Sequence, residues 1–209
     1  MITTVLIPKN AQQIFINGPE GQLDCLKLSP LGGEARGIAI IFHPDPKGGG
    51  TYTNKIVQTI AKVLTNKGYL CMCPNLRGVG MSDGTHDFGI GELVDAKAIY
   101  NYLRQHYPNL PLVLAGFSFG TSIASHLATI VEYKKIILVG PAVSKYTVSI
   151  GNIAKTIVIH GENDEIVPPE LVEQWSRDNE VPVIWFPNTG HFFHGKIVSL
   201  QNVLNSFEF

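Results

Sequence analysis

The sequence predicts an α/β protein, an eight-stranded and mostly parallel sheet with helices on both faces, built from 209 residues. Three observations lead there. Apolar runs of strand length alternate with amphipathic helical stretches along most of the chain. The runs are continuously apolar, as parallel strands covered on both faces require. In front of them stand two alternating runs around a turn-rich segment, which is the pattern of a hairpin. A chain of this length fits a single domain, residues 1–209, able to bury about 70% of its unfolded surface.

The elements follow in order. Runs 13–16 and 22–28 flank Asn17-Gly18-Pro19-Glu20-Gly21 and form the opening hairpin. Parallel strands are expected over 37–42, 69–73, 110–115, 135–139, 156–160 and 183–186. Ile56, Ile60, Val63 and Leu64 fall on one helical stripe, with Asn54 placed to cap it. Leu93, Ala96, Ile99, Tyr100 and Leu103 make the next stripe, and Pro108 lies just beyond it. A third helix is expected from Ser118 to about Thr129, a fourth near 169–178, and a fifth from near Lys196 to the end.

Composition narrows the function classes. With 44% hydrophobic and 16% charged residues the chain is not a disordered one, and a net charge of −1 provides no basic face for nucleic acid. No apolar run is long enough to span a bilayer, and polar residues interrupt the first thirteen too often for a signal peptide. The three cysteines form neither a disulfide framework nor a zinc spacing; Cys71 and Cys73 share one face of a strand and are expected as buried thiols. The expected compartment is the cytoplasm.

The sharpest chemical signal is Gly116-Phe117-Ser118-Phe119-Gly120, a G-x-S-x-G segment that ends an apolar strand and opens a helix. Glycines two before and two after the serine let neighbouring backbone approach closely. The tight turn projects the hydroxyl of Ser118, and the helix N-terminus lies beneath any negative charge that develops there. A serine hydroxyl becomes a nucleophile only when a base takes its proton, and a carboxylate must hold that base in the right tautomer.

The chain order nucleophile, acid, histidine selects among the later loops. Glu162, Asp164 and Glu165 compete after the strand over 156–160; Asp164, mid-loop before Ile166-Val167-Pro168, is favoured, and the two glutamates are expected on the rim. After the strand over 183–186, His191 follows the turn glycine Gly190 and is favoured over His194. His86, His106, His126 and His160 have structural readings, and His86 with Asp83 and Asp87 lacks the fixed geometry of a metal site. Donors for an oxyanion are expected from the N–H of Phe119 and from the loop His43-Pro44-Asp45-Pro46-Lys47-Gly48-Gly49-Gly50. The prolines have no N–H, so Asp45 is the expected second donor, with Lys47 or a following glycine as fallback.

Taken with His43-Pro44 and its glycine run, Asn54-Lys55, the segment Pro74–Gly84, Gly89-Ile90-Gly91-Glu92, His160-Gly161-Glu162-Asn163-Asp164 and His191-Phe192-Phe193-His194-Gly195, the chain resembles small bacterial α/β hydrolases with no cap domain, related to the dienelactone hydrolase and CocE/NonD-type esterase groups. The resemblance spans about residues 37–200. It implies the α/β-hydrolase fold, a carboxylesterase-like activity on a small-molecule ester, no metal or organic cofactor, and catalytic roles for Ser118, Asp164 and His191. A thioesterase, amidase or peptidase would use the same three residues, and a non-catalytic binding protein is the rival from another class. Where that family usually carries His-Pro-His-Pro, this chain has His43-Pro44-Asp45-Pro46. Arg77 is a candidate for binding a substrate carboxylate, against the alternative that it braces its own loop. Residues 140–155 are too few to build a helical lid, so an open site for short acyl groups is expected.

Overall fold

A computed structural model describes residues 10–209; the expectation for the first nine, that they begin no signal peptide, lies outside the described residues. The opening hairpin pairs β1 (Ala11–Gly18) with β2 (Gly21–Leu28), antiparallel and in a register that matches Gly18 with Gly21. The turn is therefore only Pro19-Glu20, shorter than the five residues read as turn from the sequence, because Asn17 and Gly21 remain in the ladder. Then come β3 (Gly37–Phe42), α1 (Lys55–Asn66), β4 (Tyr69–Pro74), α2 (Ile90–His106), β5 (Leu112–Phe117), α3 (Phe119–Ala128), β6 (Lys135–Val139), β7 (Thr156–Gly161), α4 (Pro169–Asp178), β8 (Val183–Phe186) and α5 (Ile197–Asn205).

The eight strands form one sheet in the order β1-β2-β4-β3-β5-β6-β7-β8. Only β1 and β2 run against their neighbours, and the other six strands are parallel. Along β3 the side chains alternate between layers. Ile38, Ile40 and Phe42 pack with Ala96, Ile99 and Leu103 of α2 and Ile123 and Leu127 of α3. Ala39 and Ile41 face the other way, onto Ile56, Ile60 and Leu64 of α1 and Leu200 and Leu204 of α5. Each apolar stripe read from the sequence thus has a face of the sheet to cover. Asn54 Oδ1 accepts the N–H of Ile56 at 2.9 Å and caps α1.

Several boundaries differ from the sequence reading by a residue or more, and two have a plain physical reason or consequence. The strand expected over 110–115 lies at 112–117. Pro111 has no N–H to give and contributes only its carbonyl, to Ile38, while Gly116 and Phe117 stay in register with Leu138 and Val139 of β6. The last helix stops at Asn205, and Phe209 is tucked back into the core.

The connection from β6 to β7, residues 140–155, lies down against α3 and α4. Ala142 N–H donates to Thr121 Oγ1 (3.2 Å), Ser149 N–H to Ser125 Oγ (3.1 Å), and Trp175 Nε1–H to the Val148 carbonyl (2.9 Å). Beyond one 3₁₀ turn, Ile153–Lys155, the segment forms no helix, and so no helical lid. Among the described residues no helix is long and apolar enough to cross a membrane.

Candidate active site

At the C-terminal end of β5 the backbone turns sharply into α3 through Ser118, with φ 53° and ψ −121°. L-residues avoid this conformation, and one held there stores about 1–3 kcal/mol of strain. The turn holds because its neighbours are glycines. A Cβ on Gly116 would collide with the Gly120 carbonyl, and a Cβ on Gly120 with the carbonyl of Phe42. The Ser118 N–H is tied to the Val139 carbonyl at 3.0 Å.

Loops after β7 and β8 bring two side chains to that hydroxyl. His191 Nε2 lies 3.0 Å from Ser118 Oγ, and His191 Nδ1 lies 2.7 Å from Asp164 Oδ2. The other carboxylate oxygen of Asp164 accepts the N–H of Ile166 (2.9 Å) and of Val167 (2.8 Å). Burial pushes the Asp164 carboxyl up. The hydrogen bonds from His191 and Val167, with the charges of His191 and His160, outweigh it and hold the group below the usual carboxylate range. The imidazole of His191 packs on the ring of Phe117, with Phe192 against it edge-on.

The competing residues stand elsewhere. Glu162 and His194 are exposed. Glu165 is exposed too, yet its Oε2 accepts the backbone N–H of His191 at 3.3 Å and ties the two loops together, a role that rim position alone did not suggest. His160 is wholly buried behind Asp164, its Nε2 3.1 Å from the Val167 carbonyl and 3.5 Å from Asp164 Oδ2. Burial lowers its pKa against the pull of Asp164.

Arg77, a candidate for binding a substrate carboxylate with the bracing of its own loop as the alternative, is not among the residues that line the cleft with Ser118. Its Nη2 and Nε hold both oxygens of buried Asp95 at 2.8 and 3.0 Å, and its Nη1 pairs with Glu20 of the hairpin turn. With these donors engaged, and its guanidinium filling the space beside Gly91, the residue braces its own loop against α2. Asp83 and Asp87 likewise accept backbone N–H groups, of Gln22 and Gly91.

Two residues that line one cleft with Ser118, Phe119 and Asp45, carry backbone N–H groups with no hydrogen-bond partner among the described residues. Phe119 opens α3, so its N–H has no intrahelical partner. The loop after β3 uses four of its donors internally: the N–H of Lys47 goes to Asp45 Oδ1, those of Gly48 and Gly50 to the Asp45 carbonyl, and that of Gly49 to the Pro46 carbonyl. Asp45 N–H makes no hydrogen bond among the described residues, and the fallback donors are spent. Between the two lies a cleft of about 430 Å³ whose apolar wall includes Phe119, Ala142, Tyr146, Val167 and Phe192. Its lip is open: Ile166 and Phe192 remain 45% and 44% exposed.

The chain is similar to several known proteins. A family model described as serine aminopeptidase, S33 matches residues 33–155, a span that includes Ser118 and stops short of Asp164 and His191. An uncharacterised protein of Rickettsia prowazekii is 32% identical, over 93% of this chain and 87% of that one. Among solved structures, an α/β serine hydrolase without a lid from Xanthomonas campestris superimposes with a TM-score of 0.88 at 33% identity, covering 95% of this chain and 94% of that one. An α/β serine hydrolase homologue from Coxiella burnetii does so with 0.84 at 33% identity, covering 95% and 98%.

Proposed function

The chain belongs to the serine aminopeptidase S33 family as a small α/β hydrolase without a lid, and we propose that it is a carboxylesterase that cleaves small, short-chain esters through an acyl-enzyme on Ser118. The observation that carries this reading is the unbroken series Ser118 Oγ, His191 Nε2, His191 Nδ1, Asp164 Oδ2, with spacings of 3.0 and 2.7 Å.

In the first step Ser118 Oγ attacks the ester carbonyl while its proton passes to His191 Nε2. Asp164 keeps the other ring proton on Nδ1 and stabilises the imidazolium. The carbonyl oxygen, now negative, takes the N–H groups of Phe119 and Asp45. Collapse of the tetrahedral adduct expels the alcohol, which receives the proton from His191. Water then repeats the sequence on the acyl-enzyme and frees Ser118. These steps draw on side chains and backbone amides alone. Cys25, Cys71 and Cys73 are buried free thiols, compatible with work in the reducing cytoplasm.

The test is a fluorophosphonate label on the intact chain together with a substrate panel of p-nitrophenyl esters, acyl thioesters and aminoacyl p-nitroanilides. The proposal expects labelling that Ser118→Ala abolishes, and the highest kcat/KM on an ester. A chain that labels but prefers the anilides is a peptidase. One that neither labels nor turns over any of the three is a binding protein.

A further inference from the structure

We propose that His43 is a positioning residue for the oxyanion hole: by holding the Pro44 carbonyl, it aims the N–H of Asp45 at the oxygen of the ester bound on Ser118. The inference rests on the esterase reading and adds a residue that the reading does not use.

His43 directly follows β3 and is wholly buried. Its two ring nitrogens face partners of opposite kind. The N–H of Leu76 points at Nε2 across 3.1 Å, and an N–H can only donate. Nε2 must therefore carry the lone pair, which puts the proton of the neutral ring on Nδ1. Nδ1 lies 2.7 Å from the Pro44 carbonyl oxygen and donates to it.

That carbonyl and the Asp45 N–H belong to one peptide unit. The unit is planar and trans, so its C=O and N–H point in opposite directions, and fixing one fixes the other. The far side of Asp45 is held as well, since its carbonyl receives the N–H groups of Gly48 and Gly50 and its Oδ1 that of Lys47. Gly50 fits only because it lacks a Cβ, which would strike the Pro44 carbonyl. The amides of Lys47, Gly48, Gly49 and Gly50 are spent, and the N–H of Asp45, without a partner among the described residues, is the one whose direction His43 sets.

The ring also stays neutral where the reaction needs it. Burial lowers the His43 pKa to about 4, against the opposing pull of the Pro44 carbonyl and the charges of Glu92 and Asp45. A protonated ring would lose its acceptor for Leu76. A neutral one spans two loops, those after β3 and β4, with one donor and one acceptor.

Two substitutions separate these halves. In His43→Asn the amide nitrogen can occupy the place of Nδ1 and still donate to Pro44. In His43→Gln the amide reaches the place of Nε2 and can accept from Leu76, but the donor to Pro44 is gone. Each variant loses one buried hydrogen bond, so both should melt below the wild type by similar amounts. With p-nitrophenyl butyrate, His43→Gln should lose about 10²-fold in kcat with KM within about twofold, the pattern of a misdirected oxyanion donor. His43→Asn should keep at least about a tenth of the wild-type kcat. If His43→Gln turns over within about threefold of the wild type, or if kcat in both variants simply follows the melting temperature, the inference is overturned. Should His43→Gln not fold, ¹⁵N NMR of the wild-type chain decides. Phenylboronic acid bound to Ser118 should shift the Asp45 amide and the His43 Nδ1–H together, and an Asp45 amide that stays still refutes the role. A wild type that the fluorophosphonate leaves unlabelled fails earlier, at the esterase reading itself.

Discussion

His191 Nδ1 stands 2.7 Å from Asp164 Oδ2 inside a loop pair that holds the carboxylate from behind, so the imidazole is oriented before any substrate arrives. His194, three residues on, is exposed and stacks on Phe192.

The two histidines should therefore respond very differently to truncation. His191→Ala is expected to lower kcat by about 10⁴-fold or more, as loss of a general base does when nucleophile and base act as a unit. His194→Ala should stay within about threefold. Initial rates on p-nitrophenyl butyrate compare them, and an inactive His194→Ala beside an active His191→Ala would move the base by one turn of the loop.

Ser118 gives a stability prediction as well as a kinetic one. Ser118→Ala should remove hydrolysis while leaving the fold and its strained φ of 53° in place. Ser118→Gly should remove hydrolysis too and relieve the strain. Its melting temperature should exceed that of Ser118→Ala by a few °C, corresponding to about 1 kcal/mol. Equal melting points would mean that the turn costs the fold nothing.

Acid should weaken the fold in a window set by the buried histidines. The pKa of His43 falls from 6.5 to about 4 on folding, so between those values the unfolded chain binds more protons than the native one. Stability then rises with pH across the window; the contribution is complete above 6.5 and disappears as pH drops through about 4, a span worth roughly 3 kcal/mol. His160, whose pKa is also lowered, adds in the same direction. Urea midpoints measured from pH 7 to 4 should fall with acid in the wild type and less steeply in His43→Asn. Parallel slopes would show that His43 takes up its proton equally in both states.

Acyl-chain preference should be short. A cleft of about 430 Å³ with an open lip encloses a small acyl group and leaves a long tail in water. We expect the highest kcat/KM for acyl chains of about two to six carbons, where added methylenes still find apolar wall. A rate that climbs steadily to long chains, or jumps at a micellar threshold, would contradict this.

The parts of the site legible in the sequence were those whose chemistry has a local signature. Ser118 announces itself because its glycines must sit at fixed offsets, and the Gly190-His191 turn lies on a loop that the chain order points to. Arg77 was ambiguous because its partners, Asp95 and Glu20, are remote in sequence, and nothing near the arginine says that both will reach it. His43 and His160 were legible only as histidines beside strands. A buried histidine gains its role from carbonyls and amides that folding brings to it, and those leave no side-chain pattern to read. The end of β5 was misplaced for a related reason. Gly116 looks like punctuation, yet it remains in the sheet because its missing side chain is needed by α3 and not by a turn.

The lidless connection over residues 140–155, tied to α3 and α4, bears on what would become of an acyl group after the alcohol has left. On the proposed mechanism, with no cover to swing shut, bulk solvent would reach an acyl-enzyme from the open lip as soon as the leaving group departs. Water at its full concentration would then compete with any second alcohol, and hydrolysis is expected to outrun transfer. Turnover also waits on no opening motion, so the medium's viscosity should weigh on substrate arrival and product escape only as it does for any freely diffusing pair.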